Sequence, residues 1–165
     1  MSELRTNRIV PRDGLPSGSA GGIIQVKQIQ HSTAVKYNTN SFTAGVNADS
    51  STANFSITIT PTRSDSKILV SLNCSYDSYA GQRNYVTIYR SIGGATASNI
   101  VGGRGLVELW NPDQRIQASL MAQYLDSPAT TSAITYTAYA QVSSGDFYLG
   151  LYDNQKWMHA MEVSG

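Results

Sequence analysis

The side chains with the widest chemical repertoire are few in this sequence. Two histidines, His31 and His159, are too few for a histidine-rich metal site, and a single cysteine, Cys74, rules out a thiolate zinc centre. Cys74 falls at a core-facing strand position, where a thiol acts as a small apolar group. Alone it forms no internal disulfide and gives no sign of an oxidising compartment. The glycine run Gly102-Gly103-Arg104-Gly105 is not followed by Lys-Ser/Thr and opens no helix, so it is not a phosphate-binding loop. There is no Gly-x-Ser-x-Gly nucleophile elbow. The carboxylates Asp77, Glu108, Asp113, Asp126, Asp146, Asp153 and Glu162 are sparse and fall mostly in turns. Glycoside cleavage would require the fold to bring two of them together. The sequence therefore calls for no catalytic group, no metal and no cofactor, and the expectation is a protein that is not an enzyme.

Aromatic rings beside polar groups are what remain. Trp110 lies next to Asn111 and Asp113, while Tyr76 and Tyr79 lie near Asp77 and Arg83. Sugar binding uses such pairings: a flat ring stacks on the apolar face of a pyranose while amides and carboxylates bind its hydroxyls. The same rings could equally cap the ends of a core. Residues 31–53, which include Tyr37, read as a long polar loop with room for a short strand, and long loops in compact domains are often functional. The expected contact set is Tyr37, Asp77, Tyr79, Arg83, Trp110, Asn111 and Asp113.

Strands must position these residues. Phe55, Ile57 and Ile59 alternate with Ser56, Thr58 and Thr60, the period of a strand with one wet face. Pro61 ends that ladder because it lacks an amide hydrogen, and Thr62 to Ser66 are turn residues. Alternation resumes through Ile68, Val70, Leu72, Cys74 and Tyr76. The expectation is an antiparallel pair in the middle of a sandwich, covered by a second layer. Further strands are expected over 22–30, 83–90, 106–110, 115–124, 134–142, 146–152 and 157–163. That makes about eight or nine short strands: an all-β, antiparallel, jelly-roll-like β-sandwich. If successive strands run antiparallel, the loops at 31–53, 76–82, 110–114 and 143–145 gather at one end. Those at 61–66, 91–97, 125–132 and 153–155 then gather at the other. The tyrosine-rich face of 85–89 is the expected seam between subunits.

The chain has 165 residues, a formal net charge of +1 and only 14% charged residues. Its twelve Lys and Arg are scattered rather than clustered, so nucleic acid is not expected as a partner. No apolar run approaches a membrane span, so no membrane insertion is expected. The N-terminus has no apolar core after its charges and does not read as a secretory signal. Residues 1–21 carry Pro11, Pro16, Gly14, Gly18 and Gly21 with no sustained period. They read as an extended arm, about 70 Å long at roughly 3.3 Å per residue, that lies on a neighbouring subunit or a larger assembly, with folding back on its own domain as the alternative. The domain division is thus an arm over 1–21 and a β-sandwich over 22–165.

Residues 2–26, Ser-Glu-Leu-Arg-Thr-Asn-Arg-Ile-Val-Pro-Arg-Asp-Gly-Leu-Pro-Ser-Gly-Ser-Ala-Gly-Gly-Ile-Ile-Gln-Val, resemble the start of tail-fibre proteins of cyanophages and other marine bacteriophages. Weaker echoes occur at 59–70, 125–128 and 161–163. The resemblance implies an arm that attaches to other virion proteins, here through Leu4, Arg5, Ile9, Pro11, Arg12 and Asp13, and a homotrimeric β-rich head. It supplies no catalytic motif. The chain has no long shaft repeat, which leaves tail and capsid as alternative attachment points. The expected role is a virion structural protein made in the host cytoplasm, a short trimeric tail fibre whose head contacts a host surface glycan or protein. A capsid-surface fibre or decoration protein, a free carbohydrate-binding module and a glycan-degrading enzyme are the alternatives.

Overall fold

The computed structural model describes residues 22–47, 55–151 and 155–165, and over them the chain is all-β with no helix. The strands are β1 (Ile23–His31), β2 (Val35–Tyr37), β3 (Val46–Asn47), β4 (Ser56–Ile59), β5 (Lys67–Ser78), β6 (Gln82–Ile92), β7 (Ser98–Asn99), β8 (Val107–Asn111), β9 (Ile116–Asp126), β10 (Ile134–Val142), β11 (Phe147–Leu149) and β12 (Lys156–Val163). They form two antiparallel sheets. In the first, β12 and β11 lie end to end along one edge of β5, with β1 beyond β12 and with β2 then β3 beyond β11. β9 pairs with the opposite edge of β5. The second sheet runs β4, β10, β6, with β7 and β8 sharing the far edge of β6.

Period-two alternation explains why the sheets face each other. Ile134, Tyr136, Ala138, Ala140 and Val142 of β10 are buried and alternate with half-buried residues. Ile68, Val70, Leu72 and Cys74 of β5 face them from the other layer, together with Met158 and Ala160 of β12. Removing this apolar surface from water is the main favourable term, roughly 1.5–3 kcal/mol for each large side chain. Polar ties across the layers add direction. The guanidinium of Arg90 on β6 donates to both carboxylate oxygens of Asp126 on β9 at 2.7 and 2.9 Å, and the Tyr136 hydroxyl of β10 donates to Asp126 at 2.7 Å. Burial, and then this bond to a carboxylate, push the Tyr136 hydroxyl's pKa upward.

The strand pair expected around Pro61 is corrected by the topology. β4 and β5 each have one apolar face, but they do not pair; β4 belongs to the second sheet and β5 to the first. The short connection between them crosses from one layer to the other. Its anchor is Glu162 on β12, which accepts from the Thr62 amide and hydroxyl, each at 2.8 Å, and from Gln25 Nε2 at 2.6 Å. Burial alone would push this carboxyl up; the donors outweigh it and hold its pKa below the ordinary value. The described residues contain twelve strands rather than eight or nine, because β2, β3 and β7 are only two or three residues long. Strands this short carry too little alternation to be read from sequence.

The loops sort largely as expected. Gly22 exchanges hydrogen bonds with Ser164, beside the start of β5, so the described chain begins at that end of the sandwich. Ser78 closes β5 eleven residues later, roughly 36 Å away at about 3.3 Å per residue. Of the expected 153–155 loop, residues 153 and 154 lie outside the described residues. The described residues on either side, Gly150 bonded to Ser75 and Gln155 bonded to Gln30, lie partway along the first sheet.

Candidate functional site

The end of the sandwich far from Gly22 is built by four connections that follow β2, β5, β8 and β10. Hydrogen bonds tie them together. The Gly81 amide donates to Asn111 O at 2.6 Å, and Asn111 Nδ2 donates to Ser78 O at 3.3 Å. Val142 N reaches Thr39 O at 2.9 Å, and Ser143 N reaches Arg83 O at 2.9 Å. Gln82, buried at the start of β6, is the central clamp. Its Oε1 accepts from the Tyr79 amide at 3.0 Å, while its Nε2 donates to Ser144 O at 2.6 Å and to Asp146 O at 3.2 Å. A buried amide with both ends satisfied fixes two loops at once, the one after β5 and the one after β10.

Two ring–guanidinium–carboxylate rows stand on this base. On the second sheet, the antiparallel register sets Arg83 of β6 opposite Trp110 of β8. The Arg83 guanidinium lies 4.4 Å from the Trp110 ring centroid and donates to Glu108 at 3.0 Å. Arg104 extends the row, 5.7 Å from the Tyr85 ring and 3.8 Å from Glu108. In the other row, the Arg115 guanidinium lies 4.6 Å from the Tyr79 ring and holds Asp77 through Nε, at 2.8 Å, and through Nη2. A carboxylate behind each guanidinium neutralises it and fixes the plane that the ring stacks on. Lys36, in β2, bridges to Asp146 at 3.0 Å, and that bond holds its ammonium above the ordinary pKa.

Trp110 is 49% exposed and Tyr79 39%, unusually high for large rings whose orientation is already fixed. A shallow cleft of about 250 Å³ lies in the connection that follows Trp110 in the chain, lined by Asn111, Pro112, Asp113, Gln114 and Ile116. Pre-oriented flat rings with carboxylates, amides and guanidinium groups alongside suit a ligand with apolar faces and hydroxyl edges. Among the described residues no group of three or more His, Cys, Asp or Glu is placed to hold a metal ion.

Of the expected contact residues, Tyr79, Arg83, Trp110 and Asp113 are exposed at this end. Tyr37 is a correction: it is fully buried, its ring 6.0 Å from Phe147, and it is a core residue. Asp77 and Asn111 are buried as well. Asp77 holds Arg115, and Asn111 holds the Ser78 strand end. Tyr76, expected beside Tyr79, packs instead against Phe147 at 6.2 Å. The tyrosines of 85–89 are engaged within the chain, with Tyr89 stacked on Tyr139 at 3.9 Å and Phe42 6.2 Å away. Arg115 and Gln82 were not expected; only the pairing register, which sets Gln117 opposite Asp77, brings Arg115 to its place. Leu4, Arg5, Ile9, Pro11, Arg12 and Asp13 lie outside the described residues. No protein-family model matches this chain, and no curated protein matches it significantly.

Proposed function

We propose that this chain is a bacteriophage virion structural protein, a short fibre of several copies, three in this reading. Its arm attaches to the particle and its sandwich reads the host surface. The observation that carries the reading is polarity: the fixed, exposed rings of Trp110 and Tyr79 stand at the end opposite Gly22, where the arm-like segment joins. A head that recognises something away from its mount needs this arrangement. The resemblance of residues 2–26 supports the assignment to a virion, and the ring-and-carboxylate chemistry supports a surface glycan as the ligand.

The test is adsorption of particles carrying Trp110→Ala or Tyr79→Ala. A stacked aromatic anchor is worth about 2 kcal/mol or more, so each substitution is expected to lower adsorption by tenfold or more. The thermal midpoint should move little, since both rings are largely outside the core. Unchanged adsorption by both variants would overturn the site. Gold labelling of intact particles decides between tail and capsid.

A further inference from the structure

The outer face of the first sheet is chemically unlike a solvated surface. One cross-strand row runs Val26, Met161, Leu69, Leu125 over β1, β12, β5 and β9. A parallel row four residues further on ends in Trp157, Asn73 and Met121, and between them lies a row of Gln, His, Ser and Gln centred on His159 and Ser71. None of the twelve residues in these rows is Asp, Glu, Lys or Arg. A solvated face carries about 25–35% charged residues, so three or four would be expected. Large apolar side chains are exposed there instead: Met121 at 64%, Val26 at 54% and Leu125 at 49%.

The border of this face is the outer edge of β9, which no described strand covers. β9 keeps an unbroken eleven-residue register with β5, and among the described residues no strand pairs with its other edge. Edges of this length are normally blunted by lysine, proline, a bulge or inward charge. From Ile116 to Leu125 there is no charge, no proline and no glycine, and the one charge of the strand is its last residue, Asp126, which faces inward to Arg90.

We propose that this uncharged face and the β9 edge together form the seam with further copies of this chain. Two arguments select a second copy as the occupant. The first is complementarity. The face offers amide, imidazole and hydroxyl groups between apolar rows, the edge offers backbone N–H and C=O groups between Met121 and Leu125, and neither brings a like charge against itself. A charged partner would find nothing to pair with. The second is area. Four strands by three rows cover about 400 Å², half of the roughly 800 Å² per partner that a stable interface buries. The β9 edge, about 37 Å long, supplies a comparable strip, so face and edge together reach that threshold where neither does alone. The inference deepens the fibre reading by naming its seam, but its test reads mass where that of the fibre reading reads adsorption, so the two fail separately.

The test is the native mass of the full chain by light scattering, for the unaltered protein, for Met121→Lys with Leu125→Lys, and for Trp110→Lys as a control at the other end. The unaltered chain and the control are expected at a multiple of 17.8 kDa, and the double variant at 17.8 kDa with a cooperative melt. A monomeric unaltered chain overturns the proposal, as does a double variant that keeps its full mass. Should the double variant fail to fold, hydrogen exchange of the unaltered chain decides. The alternate β9 amides that point away from β5 are expected to be protected, with protection falling on dilution; fast exchange at every concentration overturns the proposal.

Discussion

Lys156 is a cation inside an apolar core. It sits on β12 opposite His31 with no exposed surface, its ammonium donating to the Thr33 carbonyl and lying 5.8 Å from the Phe55 ring. Gly150 leaves room for it, since a Cβ at that position would fall within 2.6–2.7 Å of the lysine stem and ammonium. Burial lowers its pKa from 10.5 to about 8. Between these two values the unfolded chain binds a proton that the native chain has released, so stability rises with pH through the window from 8 to 10.5. Below pH 8 the penalty is present in full, about 3 kcal/mol at about 1.4 kcal/mol per pH unit. Lys156→Met should therefore unfold at higher urea than the unaltered chain at pH 7, with the gap closing as pH approaches 10.5. Parallel pH profiles for the two proteins would show that the lysine is not the cause. The buried thiol of Cys74 is pushed in the opposite sense, up to about 12, which keeps it protonated and inert at neutral pH.

At the scale of elements, the clamp around Gln82 decides whether the exposed rings keep their places. Gln82→Ala strips the Tyr79 amide of its acceptor and the Ser144 and Asp146 carbonyls of a donor. Leaving such groups unpaired costs about 1–3 kcal/mol, read as a shift in the urea midpoint together with faster exchange at the Tyr79 amide. A loss under about 0.5 kcal/mol with unchanged exchange would mean that the loops hold one another without it. The alternation that predicts β5, β9, β10 and β12 was legible because each is eight residues or longer and buried on one face. Layer membership was not. Thr60 to Ser66 is polar and short enough for a hairpin, and the groups that tie it across the layers instead, Gln25 and Glu162, are distant in sequence. Site residues divide the same way. Trp110 and Tyr79 could be expected at the surface from type and neighbourhood, and both are exposed. Tyr37 could not be told from a surface tyrosine, because its burial depends on Phe147 arriving from β11.

For the molecule as a whole, the order of strands in space makes the last one decisive. β12 lies between β1 and β5, and it is the partner of β1 in the sheet. It also delivers Met158 and Ala160 to the core and Glu162 to the connection between layers. Until β12 is in place, β1 has nothing to pair with among the described strands and more than half of one β5 edge is open. The chain should therefore fold as one unit only after residues 156–163 are available. Its pairings are almost all distant in sequence, which places folding in the millisecond-to-second range of all-β domains. A chain stopped after Gln155 is expected to show no cooperative thermal transition and to be cut by protease throughout. A retained cooperative melt would mean that the second sheet with β5 and β9 is a self-sufficient core. In that case β1 and β12 would be an addition laid along it, and the seam proposed on their outer face would belong to a part of the molecule able to detach.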